Sequence, residues 1–124
     1  MENNKDLTVK ELVKEAHGNA EKHGFWDDME SPSNGKIEFH LDGLHYTSDT
    51  LNAIGNRLML IVSEVAEAEE GLRHNDVDNF AEELADVAIR LADLCGGLGI
   101  DLETEIKKKM EVNKSRPYLH NKAF

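Results

Sequence analysis

Apolar residues recur at the spacing of an α-helix in four separate stretches of the chain. This pattern predicts helices over residues 8–23, 50–72, 79–95 and 101–113. Residues that favour helix ends support these limits. The first helix is expected to have an N-cap at Thr8, with Glu11 as its capping-box partner. For the other three helices we expect N-caps at Asp49 or Thr50, at Asp78 or Asn79, and at Asp101. Glycines that favour a helix C-terminus predict that the first helix stops at Gly24 and the third at Gly96 with Gly97. The predicted fold is therefore all-α, a bundle of four to five helices.

The segment between the first two helices, residues 28–49, does not follow the helical pattern. It is rich in Ser, Gly, Asp and Asn, and residues 36–41 alternate between polar and apolar types. That alternation favours a short strand or hairpin arm within a long irregular segment. The sequence leaves the role of this segment open.

The middle of the second helix is apolar on every side, over residues 58–62. A helix that is apolar all round is usually buried all round. A single chain of this size can hardly bury all sides of one helix, so we expect a subunit interface at residues 58–62. The bundle is predicted to be completed by self-association, as a homodimer or as a tetramer built from two dimers.

Composition narrows the class of protein. The chain has 124 residues, the size of one domain, and carries 14 basic against 25 acidic residues. The resulting net charge of −11 argues against binding of a nucleic-acid polymer through a broad basic surface. A single cysteine, Cys95, provides no disulfide framework and fits a reducing cytoplasm. The longest uncharged apolar run, residues 58–63, is too short to span a membrane, so we expect no membrane partner.

The charge is unevenly distributed along the chain. Residues 64–105 contain thirteen acids and two bases, whereas residues 106–124 contain six bases and one acid. An acidic solvated surface with a basic tail would explain this. The alternative is a carboxylate cluster that holds divalent cations, with a basic segment that returns to meet anions there.

The third helix carries its polar residues on one stripe. At 100° per residue, six of them fall within an arc of about 100°: Asn79, Glu82, Glu83, Asp86, Arg90 and Asp93. Nearly all its other residues are apolar, so we expect this helix to be sunk in a core. Carboxylates that face an interior groove need cations to offset their repulsion and desolvation.

The second helix offers a matching pair of acids. Glu64 and Glu67 are three residues apart, as are Glu83 and Asp86, so each pair projects from one side of its helix. Antiparallel packing would bring the four carboxylates toward a common point. Hard oxygen ligands without nearby His or Cys favour Mg²⁺ or Mn²⁺ over zinc. A solvated acidic face on a non-catalytic helical interaction module is the alternative.

The two acid pairs, Glu64-x-x-Glu67 and Glu83-x-x-Asp86, are separated by fifteen residues. This arrangement resembles the signature of the all-α nucleoside triphosphate pyrophosphohydrolases, which include MazG-like proteins, dimeric dUTPases and dCTP pyrophosphatases. The resemblance continues through residues 83–91, 98–103 and 109–118. In all it covers residues 9–27 and 57–124, and it implies a single MazG-like domain over residues 1–124.

The resemblance also implies roles for individual residues. The metal ligands would be Glu64, Glu67, Glu83 and Asp86, holding Mg²⁺ with Mn²⁺ as a substitute. The phosphate-binding residues would be Lys109, Asn113 and Arg116. Glu67, or alternatively Glu64, would accept the proton of the attacking water.

A histidine and a tryptophan nine residues apart match the base-binding pair of the dCTP-pyrophosphatase-like members. Here they are His17 and Trp26, which would lie on opposite faces of one continuous helix. Gly24 must therefore break the helix if both are to face one site. The alternative is that Trp26 is a core or interface anchor and His17 a surface residue.

The activity implied by the resemblance is Mg²⁺-dependent hydrolysis of a nucleoside triphosphate between its α and β phosphates. The products would be the monophosphate and pyrophosphate. A specialised substrate such as phosphoribosyl-ATP is an alternative within the same chemistry. The sequence does not reveal the preferred base or sugar.

Overall fold

The computed structural model describes residues 6–29 and 48–121. These residues form four α-helices followed by a short 3-10 helix at Tyr118–Asn121. The α-helices are α1 (Val9–Lys22), α2 (Ser48–Arg73), α3 (Val77–Gly97) and α4 (Leu102–Lys114). The described residues contain no strand, which confirms the all-α class. The hairpin arm predicted at residues 36–41 lies outside them.

Helix α3 is the centre of the packing. It packs against α2 along one side and against α1 along another, while α4 contacts α1. Only residues 74–76 connect α2 to α3, so the two helices fold back on each other as an antiparallel pair. This arrangement places the acid pair of α2 beside the acid pair of α3.

Helices α1 and α3 end in the same backbone motif. The Gly24 N–H donates to the Glu21 carbonyl and the Phe25 N–H to the Ala20 carbonyl, while Gly24 has a φ of 84°. Gly99, with a φ of 70°, occupies the same position after α3. A glycine in the left-handed region satisfies the last carbonyls and turns the chain away. The predicted stop at Gly24 is thereby confirmed.

Three predicted helix limits are wrong. Gly96 and Gly97 lie inside α3 rather than ending it, because the left-handed glycine is Gly99. Asp76 is the N-cap of α3, its carboxylate accepting from the Asn79 N–H at 3.1 Å, so neither Asp78 nor Asn79 is the cap. Helix α2 already includes Ser48, which places Asp49 and Thr50 within the helix.

The other two predicted caps are confirmed. The Thr8 hydroxyl accepts from the Glu11 N–H at 3.0 Å, and the same hydroxyl donates to the Glu11 carboxylate. Asp101 accepts from the Thr104 N–H at 3.1 Å at the start of α4. The Thr104 hydroxyl also donates to Asp101, and the two bonds from Thr104 lower the pKa of Asp101, because the charged carboxylate is the better acceptor.

The hydrophobic core lies at the C-terminal end of α3. Leu94 and Leu98 pack with Trp26 and Met29, which follow α1. Cys95 is buried beside them, and this burial raises the pKa of its thiol.

The apolar surfaces of α2 and α3 extend well beyond this core. In α2, Leu58 and Val62 are 50% and 53% exposed, although the sequence pattern predicts burial on all sides. Leu84, Ile89 and Leu91 of α3 are also exposed, so the prediction that α3 is sunk in a core holds only for its last turns. The reason is that α1 and α2 cover only part of its circumference. No described helix combines the length and apolarity that a membrane crossing requires.

Candidate functional site

Three carboxylates meet where α2 packs against α3. Glu64 comes from α2, while Glu83 and Asp86 come from α3, and one oxygen from each lies within 4.8 Å of the others. The three-residue spacing on α3 projects its two acids from the same side of the helix. The tight turn between the helices then sets Glu64 opposite them. We name these three residues the acid cluster.

Glu67, the fourth predicted ligand, does not belong to the acid cluster. Its side chain is exposed one turn farther along α2. Its charge still acts on the cluster, because it helps to raise the pKa of Glu83. Glu67 therefore lies at the edge of the cluster.

Glu83 is the most perturbed group of the cluster. Its pKa is raised from its ordinary value of 4.5 to about 7. The main cause is a hydrogen bond with Glu64 that requires a proton, followed by desolvation and by the charges of Glu67, Glu64 and Asp86. Its Oε2 atom is shielded from solvent and has no hydrogen-bond partner among the described residues. Such an oxygen needs either a proton or a cation.

The donors of the acid cluster fit a hard divalent cation. All three are carboxylates, and Mg²⁺ and Mn²⁺ prefer oxygen ligands of this kind. A cation would also satisfy the unpartnered oxygen of Glu83 and relieve the charge repulsion that contributes to its raised pKa. Glu64, Glu83 and Asp86 are thus the residues that would hold the metal, and Glu67 would add negative charge at the edge of the cluster.

An arginine lies against the acid cluster. The Nε atom of Arg90 donates to Oε1 of Glu64 at 2.9 Å. Arg90 lies one turn after Asp86 on α3 and so shares its face. Within the cluster, Glu64 is therefore already paired with a protein cation, whereas Glu83 has no such partner among the described residues.

A cleft of about 550 Å³ extends from the acid cluster between α1, α2 and α3. Its volume lies within the range of small-molecule sites. Glu64, Asp86 and Arg90 line one part of it. Asn19 and Asn56 also line it, as does Phe25, a residue that is 70% exposed.

His17 and Trp26 are brought together beside this cleft. The turn at Gly24 reverses the chain, and the two rings meet edge to face with their centroids 5.1 Å apart. Both rings bond to one oxygen of Asp93, a residue that lines the cleft. Trp26 Nε1 donates to Asp93 Oδ1 at 2.8 Å, and His17 Nδ1 lies 3.0 Å from the same atom. Their role in base binding stays a prediction.

Trp26 is entirely buried in the described chain, with an exposed fraction of 0%. The guanidinium of Arg57 covers one face of its ring at 4.1 Å from the centroid. Arg57 is fixed there by hydrogen bonds to the Asp28 carboxylate and to the Phe25 carbonyl, both at 2.7 Å. The same ion pair lowers the pKa of Asp28. A base can contact the indole ring only after neighbouring groups move.

The predicted phosphate-binding residues are not brought to the acid cluster within one chain. Lys109 and Asn113 lie on the exposed surface of α4, and Arg116 follows that helix. Helix α4 packs against α1, and none of the three lines the described part of the cleft. Their contact with phosphate stays a prediction.

Sequence reasoning left two features of the site unassigned. It placed Asp93 on the polar stripe of α3 but gave it no role beside His17 and Trp26. The position of Arg57 over Trp26 had no signal in the sequence, since it depends on how α2 packs against the turn after α1.

No protein-family model, curated protein or solved structure matches the chain. Its function is therefore inferred from the geometry of the site and from the acid-pair motifs.

Proposed function

We propose that the protein hydrolyses a nucleoside triphosphate between its α and β phosphates, yielding a monophosphate and pyrophosphate. The observation that carries the proposal is the acid cluster at the side of a cleft of about 550 Å³, with a buried oxygen on Glu83 that has no partner among the described residues. The resemblance of the two acid pairs to the MazG-like pyrophosphohydrolases supports the same activity. A buried free thiol at Cys95 is consistent with a cytoplasmic protein.

The proposed roles follow from the positions of the acids. Glu64, Glu83 and Asp86 would hold Mg²⁺ or Mn²⁺. When bound, the metal would polarise phosphate oxygens and lower the pKa of an attacking water. Glu67 stands outside the acid cluster, so it is the acid best placed to take the proton of that water rather than to bind metal directly.

The other part of the cleft would receive the nucleoside. Asn19 and Asn56 offer amide donors and acceptors, and Phe25 offers an exposed aromatic face. Such groups suit the edge and the face of a base. His17 and Trp26 would support this surface by orienting Asp93, to which both are hydrogen-bonded. If Arg57 moved away from the indole ring, Trp26 could contact the base directly.

Self-association would complete the site. The exposed apolar residues of α2 and α3 form a surface that a second copy of the chain would cover. A second copy would also offer its α4, with Lys109, Asn113 and Arg116, to the cleft of the first. We therefore propose a homodimer, or a tetramer of two dimers, as the active form.

The test is a product assay on the purified full chain. Each common NTP and dNTP is incubated with Mg²⁺, with Mn²⁺ or with a chelator, and the products are separated. Monophosphate and pyrophosphate formed only with metal would support the proposal, and the rates would rank the bases. Diphosphate with orthophosphate would contradict it, because the wrong bond is cleaved.

If none of the common NTPs and dNTPs is hydrolysed, two further measurements distinguish the alternative functions. Activity on phosphoribosyl-ATP alone would assign a specialised pyrophosphohydrolase. Absence of turnover on every substrate, together with no stabilisation by Mg²⁺, would favour the non-catalytic interaction module, for which the exposed apolar surface is the supporting observation.

A further inference from the structure

The two arginines that line the cleft are held very differently. Arg57 is 12% exposed, stacks on Trp26 and is bonded to the Asp28 carboxylate and to two backbone carbonyls. Arg90 is 44% exposed and lies against Glu64, which is itself 16% exposed. Arg57 is thus built into the fold, whereas Arg90 is held mainly by an acid of the cluster.

The Arg90 ion pair competes with the proposed metal. Glu64 Oε1 accepts from Arg90 Nε at 2.9 Å, and Glu64 is also one of the three acids whose oxygens converge. A divalent cation on Glu64 would repel the guanidinium and take over the neutralisation of the carboxylate. Metal binding therefore weakens the ion pair that holds Arg90 against Glu64.

A polyphosphate supplies the next partner for Arg90. The described lining of the cleft includes the carboxylates of Asp28, Glu64, Asp86 and Asp93. A polyanion that enters this lining needs cations beyond the metal itself. Arg90 is next to the cluster, and its planar guanidinium suits bidentate bonding to phosphate oxygens.

We propose that Arg90 is a phosphate-binding residue that exchanges Glu64 for the polyphosphate of the substrate when the metal binds. The inference rests on the proposed function and adds a cation supplied by the same chain as the acid cluster. Its particular consequence is that Arg90 opposes binding of the metal alone and favours binding of the metal with polyphosphate. A merely structural arginine would not show these opposite effects.

The experiment compares the full-length wild type with Arg90→Gln, Arg90→Lys and Arg73→Gln. Arg73 pairs with Glu70 at 3.7 Å at the exposed end of α2, so its variant removes the same charge away from the cleft. Calorimetry first measures the affinity for Mn²⁺ alone. It then measures the affinity for inorganic tripolyphosphate at saturating Mn²⁺, which requires no base and no turnover.

We expect Arg90→Gln to bind Mn²⁺ about fivefold more tightly than the wild type, because the competing cation is gone. The same variant should bind tripolyphosphate about tenfold or more weakly, through loss of a charge-assisted contact. Arg90→Lys should keep the Mn²⁺ affinity of the wild type and lose part of the tripolyphosphate affinity. Arg73→Gln should resemble the wild type in both measurements.

An unchanged or weaker Mn²⁺ affinity in Arg90→Gln would overturn the proposal, as would an unchanged tripolyphosphate affinity. If Arg90→Gln does not fold, Arg90→Lys decides, and unchanged tripolyphosphate affinity in that variant overturns the proposal. A wild type that binds both probes but hydrolyses no nucleotide contradicts the proposed function, while the Arg90 affinities are still judged on their own. A wild type that binds neither probe overturns both.

Discussion

Gly97 lies directly against the indole ring of Trp26. A Cβ atom built on Gly97 would overlap the six-membered part of that ring. The ring is completely buried, and its Nε1 atom is tied to Asp93 one turn earlier on α3. The ring therefore cannot retreat without breaking that hydrogen bond, so a glycine inside α3 is required for Trp26 to pack on it.

Gly97→Ala is expected to lower the free energy of unfolding by about 2 kcal/mol. Overpacking of a full core costs about 1–3 kcal/mol, and the better helix propensity of alanine returns less than about 1 kcal/mol of this. Urea unfolding followed by fluorescence measures the effect, because Trp26 is the single tryptophan of the chain.

Gly18→Ala is the matched control for this substitution. Gly18 lies within α1, and a Cβ atom added to it would meet no atom of the described residues within 4 Å. Alanine there should stabilise the protein by about 0.5–1 kcal/mol through helix propensity alone. Equal effects of both substitutions would show that Gly97 is not a packing requirement.

The stability of the metal-free protein should depend on pH through Glu83. Its pKa is raised to about 7 in the folded chain, against 4.5 as its ordinary value. Between these values the unfolded chain has released the proton and the folded chain retains it. Glu83 therefore lowers stability progressively as pH rises through this window, and its effect levels off above it. The midpoint of urea unfolding, measured with a chelator present from about pH 4.5 to about pH 8.5, would reveal this fall in stability.

Glu83→Gln should remove this dependence. The variant should match the wild type at the acidic end of the range and exceed its stability increasingly toward the alkaline end. Glu111→Gln removes an equal charge from an exposed i,i+3 pair with Lys114, so its curve should run parallel to that of the wild type. A parallel curve for Glu83→Gln would contradict the raised pKa.

Glu67→Gln and Asp86→Asn are each expected to lower kcat by at least about 100-fold if the proposed function is correct. The amide introduced by Glu67→Gln could not accept a proton, and the amide introduced by Asp86→Asn would be a poorer metal ligand. Both variants should keep or exceed the stability of the wild type without metal, since each removes a charge that opposes ionisation of Glu83. Full activity in either variant would refute the assigned roles. Circular dichroism and urea unfolding check the fold.

Self-association should depend on the exposed apolar surface of α2. Met59 and Val62 are 61% and 53% exposed, and the double substitution of both by Glu should yield a monomer. Sedimentation at tens of micromolar compares it with the wild type and with Val77→Glu, an exposed apolar position at the start of α3. A monomeric wild type would contradict the proposed assembly.

The helices and two of their caps can be predicted from the order of the residues without reference to the fold. Periodicity is a local property, and the hydrogen bonds of Thr8 and Asp101 join residues three positions apart. The acid pairs are local in the same sense, because a three-residue spacing places both carboxylates on one side of any helix. These features needed no knowledge of what packs against them.

How these parts combine depends on the packing of the helices against one another. The register of α2 against α3 admits Glu64 to the acid cluster and leaves Glu67 at its edge. Packing of the turn after α1 onto α3 buries Trp26 and gives Gly97 its role, although the sequence pattern favours a helix stop there. Such relationships join residues distant along the chain. Their geometry depends on close packing between helices, which apolar periodicity does not specify.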